Sequence, residues 1–145
     1  PRLLLRWGRC RRILSGEKEM TWTSPYFTQD EMRCQCGCGA EGMHSGFMEK
    51  LTSLRADWGQ PMVVTSAYRC KNHPIEKKKT KPGAHESGRA VDIGIQGEDG
   101  YKLLCAALGH GFSGIGIQQK GSGRFIHLDD LTRDEGWPRP TIWSY

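Results

Sequence analysis

Three short stretches carry the side chains best suited to chemistry. Gly83-Ala84-His85-Glu86-Ser87-Gly88-Arg89-Ala90-Val91-Asp92 sets a histidine and an aspartate seven residues apart, with a glycine between them. Arg124-Phe125-Ile126-His127-Leu128-Asp129 supplies a second histidine, with an aspartate two residues on. Thr65-Ser66-Ala67-Tyr68-Arg69 puts an arginine just after a β-branched run. Imidazole nitrogen and carboxylate oxygen are ligands of tetrahedral zinc, and a catalytic zinc site keeps its fourth position for water. His85, Asp92 and His127 would supply three such ligands. An arginine beside them would stabilise negative charge developing on a substrate oxygen. The set points to a metal-dependent hydrolase.

These residues need elements to hold them. Residues 90–95 read as a strand in which Val91, Ile93 and Ile95 share the core face and Asp92 takes the other. A carboxylate in an otherwise apolar strand must be paired with something. Residues 125–129 form another strand, with His127 and Asp129 on the face opposite Ile126 and Leu128. Gly88 permits the tight turn that folds His85 back toward Asp92. Residues 62–68 are a β-branched run of strand length ending beside Arg69.

The remaining elements follow from periodicity and caps. Thr28 with Glu31 forms a capping-box pattern that opens a short helix. Phe47, Leu51, Leu54 and Trp58 recur at helical spacing from Ser45, and Gly59-Gln60-Pro61 ends that helix. Tyr101, Leu104, Cys105 and Leu108 mark a second helix closed by Gly109, with Cys105 expected as a buried thiol. Residues 114–117 form a short strand joined to 125–129 through Gly121-Ser122-Gly123. The loop 71–83, with Lys77-Lys78-Lys79, is expected to be solvated. The tail after Leu131, rich in aromatics and prolines, is expected to pack over the surface. The order predicts an α+β domain: a small antiparallel sheet flanked by helices.

Length and charge narrow the function. At 145 residues the chain fits one domain, without an apolar run long enough to span a membrane. The net charge is +5, but residues 1–19 hold six Lys/Arg against two Glu. The remainder is close to neutral, which argues against nucleic acid as a partner. Leu3-Leu4-Leu5 is too short for a signal-peptide core. Gly16-Glu17-Lys18-Glu19 resembles a translated ribosome-binding site ahead of Met20. Translation is therefore expected to start at Met20, with 1–19 a leader outside the single domain 20–145.

Cys34, Cys36 and Cys38 cluster tightly, with Cys70 available at a distance. They could form a disulfide, a structural metal site or reduced thiols.

Ser66-Ala67-Tyr68-Arg69, His85-x-x-Gly88-x-Ala90-x-Asp92 and Phe125-Ile126-His127-Leu128-Asp129, in that order, resemble the successive motifs of the zinc D-alanyl-D-alanine carboxypeptidase family (peptidase family M15, subfamily A). That family includes murein endopeptidases, phage endolysins and the vancomycin-resistance D,D-dipeptidases, and shares its fold with the hedgehog signalling domain. The resemblance covers roughly 25–130 and includes the Cys-x-Cys-Gly-Cys-Gly segment seen in many phage-type members. It implies His85, Asp92 and His127 as zinc ligands and Arg69 as the contact to the scissile carbonyl. It further implies a hydrolase of peptidoglycan stem peptides or cross-links, either a phage product acting on the cell wall or a wall-remodelling enzyme; a monomer is the default expectation.

One departure stands out. Several family branches carry an acidic general base three residues before the last histidine, where this chain has Arg124, which cannot accept a proton. Asp129 is the substitute candidate for that role, or else a group that orients an imidazole; Glu86 is a third candidate. Two rivals follow: a non-catalytic binding module on the same fold, and a small zinc-ribbon-like nucleic-acid binder built on the cysteines.

Overall fold

The structure is a computed structural model, and it describes residues 22–145. The leader 1–19 and the start at Met20 lie outside the described residues. Helix α1 (Gln29–Met32) begins with the expected reciprocal cap between Thr28 and Glu31. Helix α2 (Ser45–Trp58) is capped by the His44 side chain and stops at Gly59, whose φ of 73° lies in the left-handed region that glycine tolerates.

Five strands follow: β1 (Val63–Ser66), β2 (Ala90–Gly94), β3 (Gly114–Gln118), β4 (Phe125–Asp129) and β5 (Thr141–Ser144). Helix α3 (Gly97–Gly109) lies between β2 and β3. The sheet order is β1-β2-β4-β3-β5. Neighbours are antiparallel from β1 through β3, and β5 lies parallel to β3. The α+β arrangement agrees with the sequence; the sheet is mixed because the tail joins it. That tail does more than cover a surface. After Pro140, Thr141-Ile142-Trp143 supplies the β-branched and aromatic residues a strand uses.

One face of the sheet is the core. Val91, Ile93, Ile115, Ile126 and Leu128 pack against Phe47, Met48, Leu51 and Leu54 of α2 and Leu103 and Ala107 of α3. Helix α3 is rotated relative to the sequence reading. Gly100, Leu103 and Ala107 are its buried positions, while Tyr101 and Leu108 are exposed, and so is Cys105. Leu103 shares that face with the two small residues, and a Cβ at Gly100 would meet Ile126 Cδ1 at 3.8 Å, an ordinary packing distance. The opposite face of the sheet is left for polar side chains.

Candidate metal centre and cleft

Strand register brings the predicted ligands together. Asp92 on β2 lies directly across from His127 on β4, and His127 lies across from Gly116 on β3. Both side chains leave the sheet on the face opposite the core. His85 comes from the short 3-10 turn Ala84–Ser87, which ends at Gly88 with φ 74°. A side chain at Gly88 would also collide with the Gly42 carbonyl, so glycine is required there twice over. All three ligand side chains are buried.

Three atoms converge. His85 Nε2 and His127 Nδ1 are 3.2 Å apart, and they lie 3.2 Å and 3.0 Å from Asp92 Oδ1. The outer ring nitrogens are already committed. His85 Nδ1 donates to the Ala67 carbonyl at 2.6 Å, which can only accept. His127 Nε2 donates to Asp129 Oδ2 at 2.8 Å. These partners assign the tautomers. In neutral rings the inner nitrogens are then lone pairs facing each other and a carboxylate oxygen, with no hydrogen between them. Only a cation or a shared proton relieves that arrangement. With metal–ligand bonds of about 2.0–2.1 Å, the edge of a tetrahedron is roughly 3.3 Å. The observed separations fit a zinc ion bound by His85, Asp92 and His127.

The surrounding charges agree. Burial would raise the Asp92 carboxyl pKa, but the His127 and His85 imidazoles facing it, whenever they share a proton, outweigh it and hold the group far below the usual carboxylate range. Burial alone would lower His127; its bonds to Asp129 and Asp92 reverse this and raise it. A proton on His127, bridging two carboxylates, is therefore what a metal would displace.

Asp129 is fully buried behind His127. Arg139 grips it with two bonds of 2.8 Å, one to each carboxylate oxygen. The Arg139 guanidinium lies 5.6 Å from the Trp137 ring centroid and 5.1 Å from that of Trp143. Burial pushes the Asp129 carboxyl up, and the bonds from His127 and Arg139 more than offset it, so it stays anionic. This is the geometry of a carboxylate that fixes a ligand imidazole. Gly114, directly opposite Asp129, leaves the room its carboxylate fills.

Arg69 reaches the site from the end of β1. Its Nη2 lies 3.4 Å from Asp92 Oδ2, its Nε donates to Ser66 Oγ at 3.0 Å, and Nη1 lies 3.5 Å from Glu76. Glu76 is the surprise of the loop 71–83. Lys77, Lys78 and Lys79 are exposed as expected, but the Glu76 side chain is wholly buried. It accepts from Lys79 Nζ at 2.9 Å and from the Gly83 amide at 3.1 Å. It thereby staples the loop beside Arg69.

A cleft of about 720 Å³ opens over the cluster. Arg69, His85, Asp92 and His127 line it, together with Trp137, Arg139, Trp143 and Tyr145 from the tail. Trp143 stands in register with Gly116, and its ring centroid is 5.0 Å from that of His127. A Cβ at Gly116 would come within 2.8 Å of the Trp143 ring, so the glycine admits the indole. The sequence reading missed these tail residues and Glu76; the strand-like Thr141-Ile142-Trp143 run was the available signal. Neither Arg124 nor Glu86 lines the cleft. Arg124 instead donates to the Gly121 carbonyl at 2.9 Å. The other histidines serve elsewhere: His44 caps α2, His110 pairs with Asp57 at 2.7 Å, and His73 bonds within its loop.

Residues 25–129 match the Peptidase M15 family. The chain belongs to that family. A comparison with curated proteins returned no match. This M15 domain is a peptidase of a zinc-dependent family, and the His85, Asp92 and His127 cluster is a candidate site for the ion. The match stops at Asp129, so Trp137, Arg139, Trp143 and Tyr145 lie beyond the matched residues while walling the cleft.

Proposed function

We propose that the protein is a zinc metallopeptidase that hydrolyses peptide bonds in the stem peptides or cross-links of bacterial peptidoglycan. Its role is that of a phage-type lysin or a wall-remodelling enzyme. The observation that carries the reading is a three-ligand cluster, His85, Asp92 and His127, whose remaining side opens onto a peptide-sized cleft. Bound zinc would polarise a carbonyl and lower the pKa of its water to about 7.

The chain's own residues do the rest. Ala67 and Asp129 hold the two imidazoles in the tautomers that present lone pairs to the ion. Arg69, anchored by Ser66 and Glu76, points a cation at the place where a carbonyl oxygen gains charge. Trp143 and Tyr145 supply flat apolar walls that exclude water and orient the peptide. Asp129 acts through His127 rather than on substrate, because its lone pairs are taken by Arg139 and His127. Cleavage at D-Ala-D-Ala, at L-Ala-D-Glu or within a cross-bridge all fit this chemistry.

A second reading is a zinc-containing wall-binding module without catalysis. It is favoured by one feature: the carboxylates nearest the ligands, Glu76 and Asp129, are both locked in ion pairs and not free to take a proton. Incubating zinc-loaded protein with purified peptidoglycan and analysing released muropeptides separates the two. New peptide termini from the wild type, absent with His85→Ala and after chelation, support the peptidase and identify the bond. Stoichiometric zinc with no release supports the module.

A further inference from the structure

A second donor cluster lies outside the cleft, and no part of the peptidase reading uses it. The Sγ atoms of Cys34, Cys36, Cys38 and Cys70 all lie within 4.8 Å of one another. We propose that these four thiols form a closed structural zinc site that clips the loop after α1 to the segment following β1.

The distances discriminate among the states left open by the sequence. Cys36 Sγ and Cys38 Sγ stand 3.6 Å and 3.7 Å from Cys70 Sγ. Four sulfurs at about 2.3 Å from one zinc make a tetrahedron with edges of roughly 3.8 Å. Cys70 is thus nearly equidistant from two partners, whereas a disulfide would require it to choose one. The arrangement has four vertices around a centre rather than two pairs.

The backbone is shaped for thiolates. The Cys70 amide donates to Cys34 Sγ at 3.3 Å, and the Ala40 amide donates to Cys38 Sγ at 3.3 Å. Such N–H donors stabilise negative sulfur. The alternating Cys-x-Cys-x-Cys spacing is tighter than the usual Cys-x-x-Cys, and the glycines explain how it works. Gly37 and Gly39 have φ of 98° and 65°, conformations that curl the chain so that successive thiols turn to one centre. The loop is closed by the Cys34 amide donating to the Ala40 carbonyl at 2.9 Å. Four protein thiolates leave no position for water, so the site is structural, and soft tetrahedral sulfur selects zinc among the common divalent ions. Binding exchanges thiol protons for the ion and needs no oxidant.

Cobalt substitution of the full-length protein, prepared metal-free under reducing conditions, tests the proposal. A thiolate-to-cobalt charge-transfer band can arise only from the cysteines, because the His85, Asp92 and His127 cluster contains no sulfur. The expected result is a second equivalent of cobalt per chain accompanied by that band. His127→Ala, which leaves the cysteines intact, should keep the band and one equivalent of cobalt. The Cys36→Ser/Cys70→Ser variant should lose one equivalent together with the band. Should that variant fail to fold, the wild-type spectrum decides alone. A single equivalent without the band overturns the proposal. So does protein, isolated with zinc present and no reductant, whose cysteines prove to be disulfide-bonded.

Discussion

The protein gathers candidate metal ligands in two places and builds them in opposite ways. His85, Asp92 and His127 are mixed nitrogen and oxygen donors, two of them on adjacent strands, and each imidazole is braced from behind. Their open side meets the cleft. The cysteines are four like donors, three from a glycine loop and one from the segment after β1, steadied by backbone amides, and none of these four lines the cleft. The contrast lies in how many donors each construction would offer an ion. A sheet can present three ligands on one face and leave the solvent side vacant, while a curled loop wraps its centre. The first construction suits chemistry and the second suits cohesion. Arg69 stands between them, one residue before Cys70 and 3.4 Å from Asp92.

Breaking the strand-held cluster should have the largest effect. His127→Ala should release the cleft metal and reduce muropeptide release to background, while the cysteine site keeps its ion; metal analysis and product release read both. Arg69→Ala should leave the metal in place and lower kcat by about 10²–10³-fold, the usual cost of removing one oxyanion donor. Steady-state kinetics with metal content as the control checks it.

The brace comes next. Asp129→Asn should weaken metal affinity by about 10–100-fold, as loss of a carboxylate behind a ligand imidazole does. Competition with a chelator measures this. The cysteine site should hold its metal unchanged in the same titration.

Acidity offers a subtler separation. His127 has a raised pKa in the metal-free protein. Its protonated form therefore stabilises that state fully below its unfolded pKa of about 6.5. The contribution is lost as pH rises through the raised folded value. A metal must displace that proton, so affinity at the cleft should fall as pH drops through the same window, with proton release on binding. Calorimetry in buffers of differing ionisation enthalpy detects it. Last, Arg124→Ala should leave turnover unchanged, since that side chain bonds within its own turn and does not line the cleft. A large loss would return that position to the site.

Much of the site was legible because residue type, alternation and order converge on it. Asp92 and His127 each interrupt an apolar strand on the polar face, and register then makes them neighbours. The five histidines by themselves would not have told which ones matter. What escaped the sequence depends on pairing across long separations. Arg139 finds Asp129 only because the tail returns beside β3. Glu76 is buried by partners on both sides of its loop, so a lysine-rich stretch hid an internal staple. Helix α3 misled for a different reason. Tyr101 and Leu108 face solvent, while Leu103 takes the buried side together with Gly100 and Ala107. The buried stripe runs through Gly100, Leu103 and Ala107, one step out of phase with Tyr101, Leu104 and Leu108.

The central claim is that the cleft holds a zinc ion on three protein ligands with one position free. Anomalous diffraction at the zinc edge, from crystals of the zinc-loaded protein, tests it most directly. The account predicts a peak about 2.0–2.2 Å from His85 Nε2, His127 Nδ1 and an Asp92 oxygen, with water as the remaining ligand. A peak capped by a fourth protein side chain, or no peak between those atoms, would contradict it.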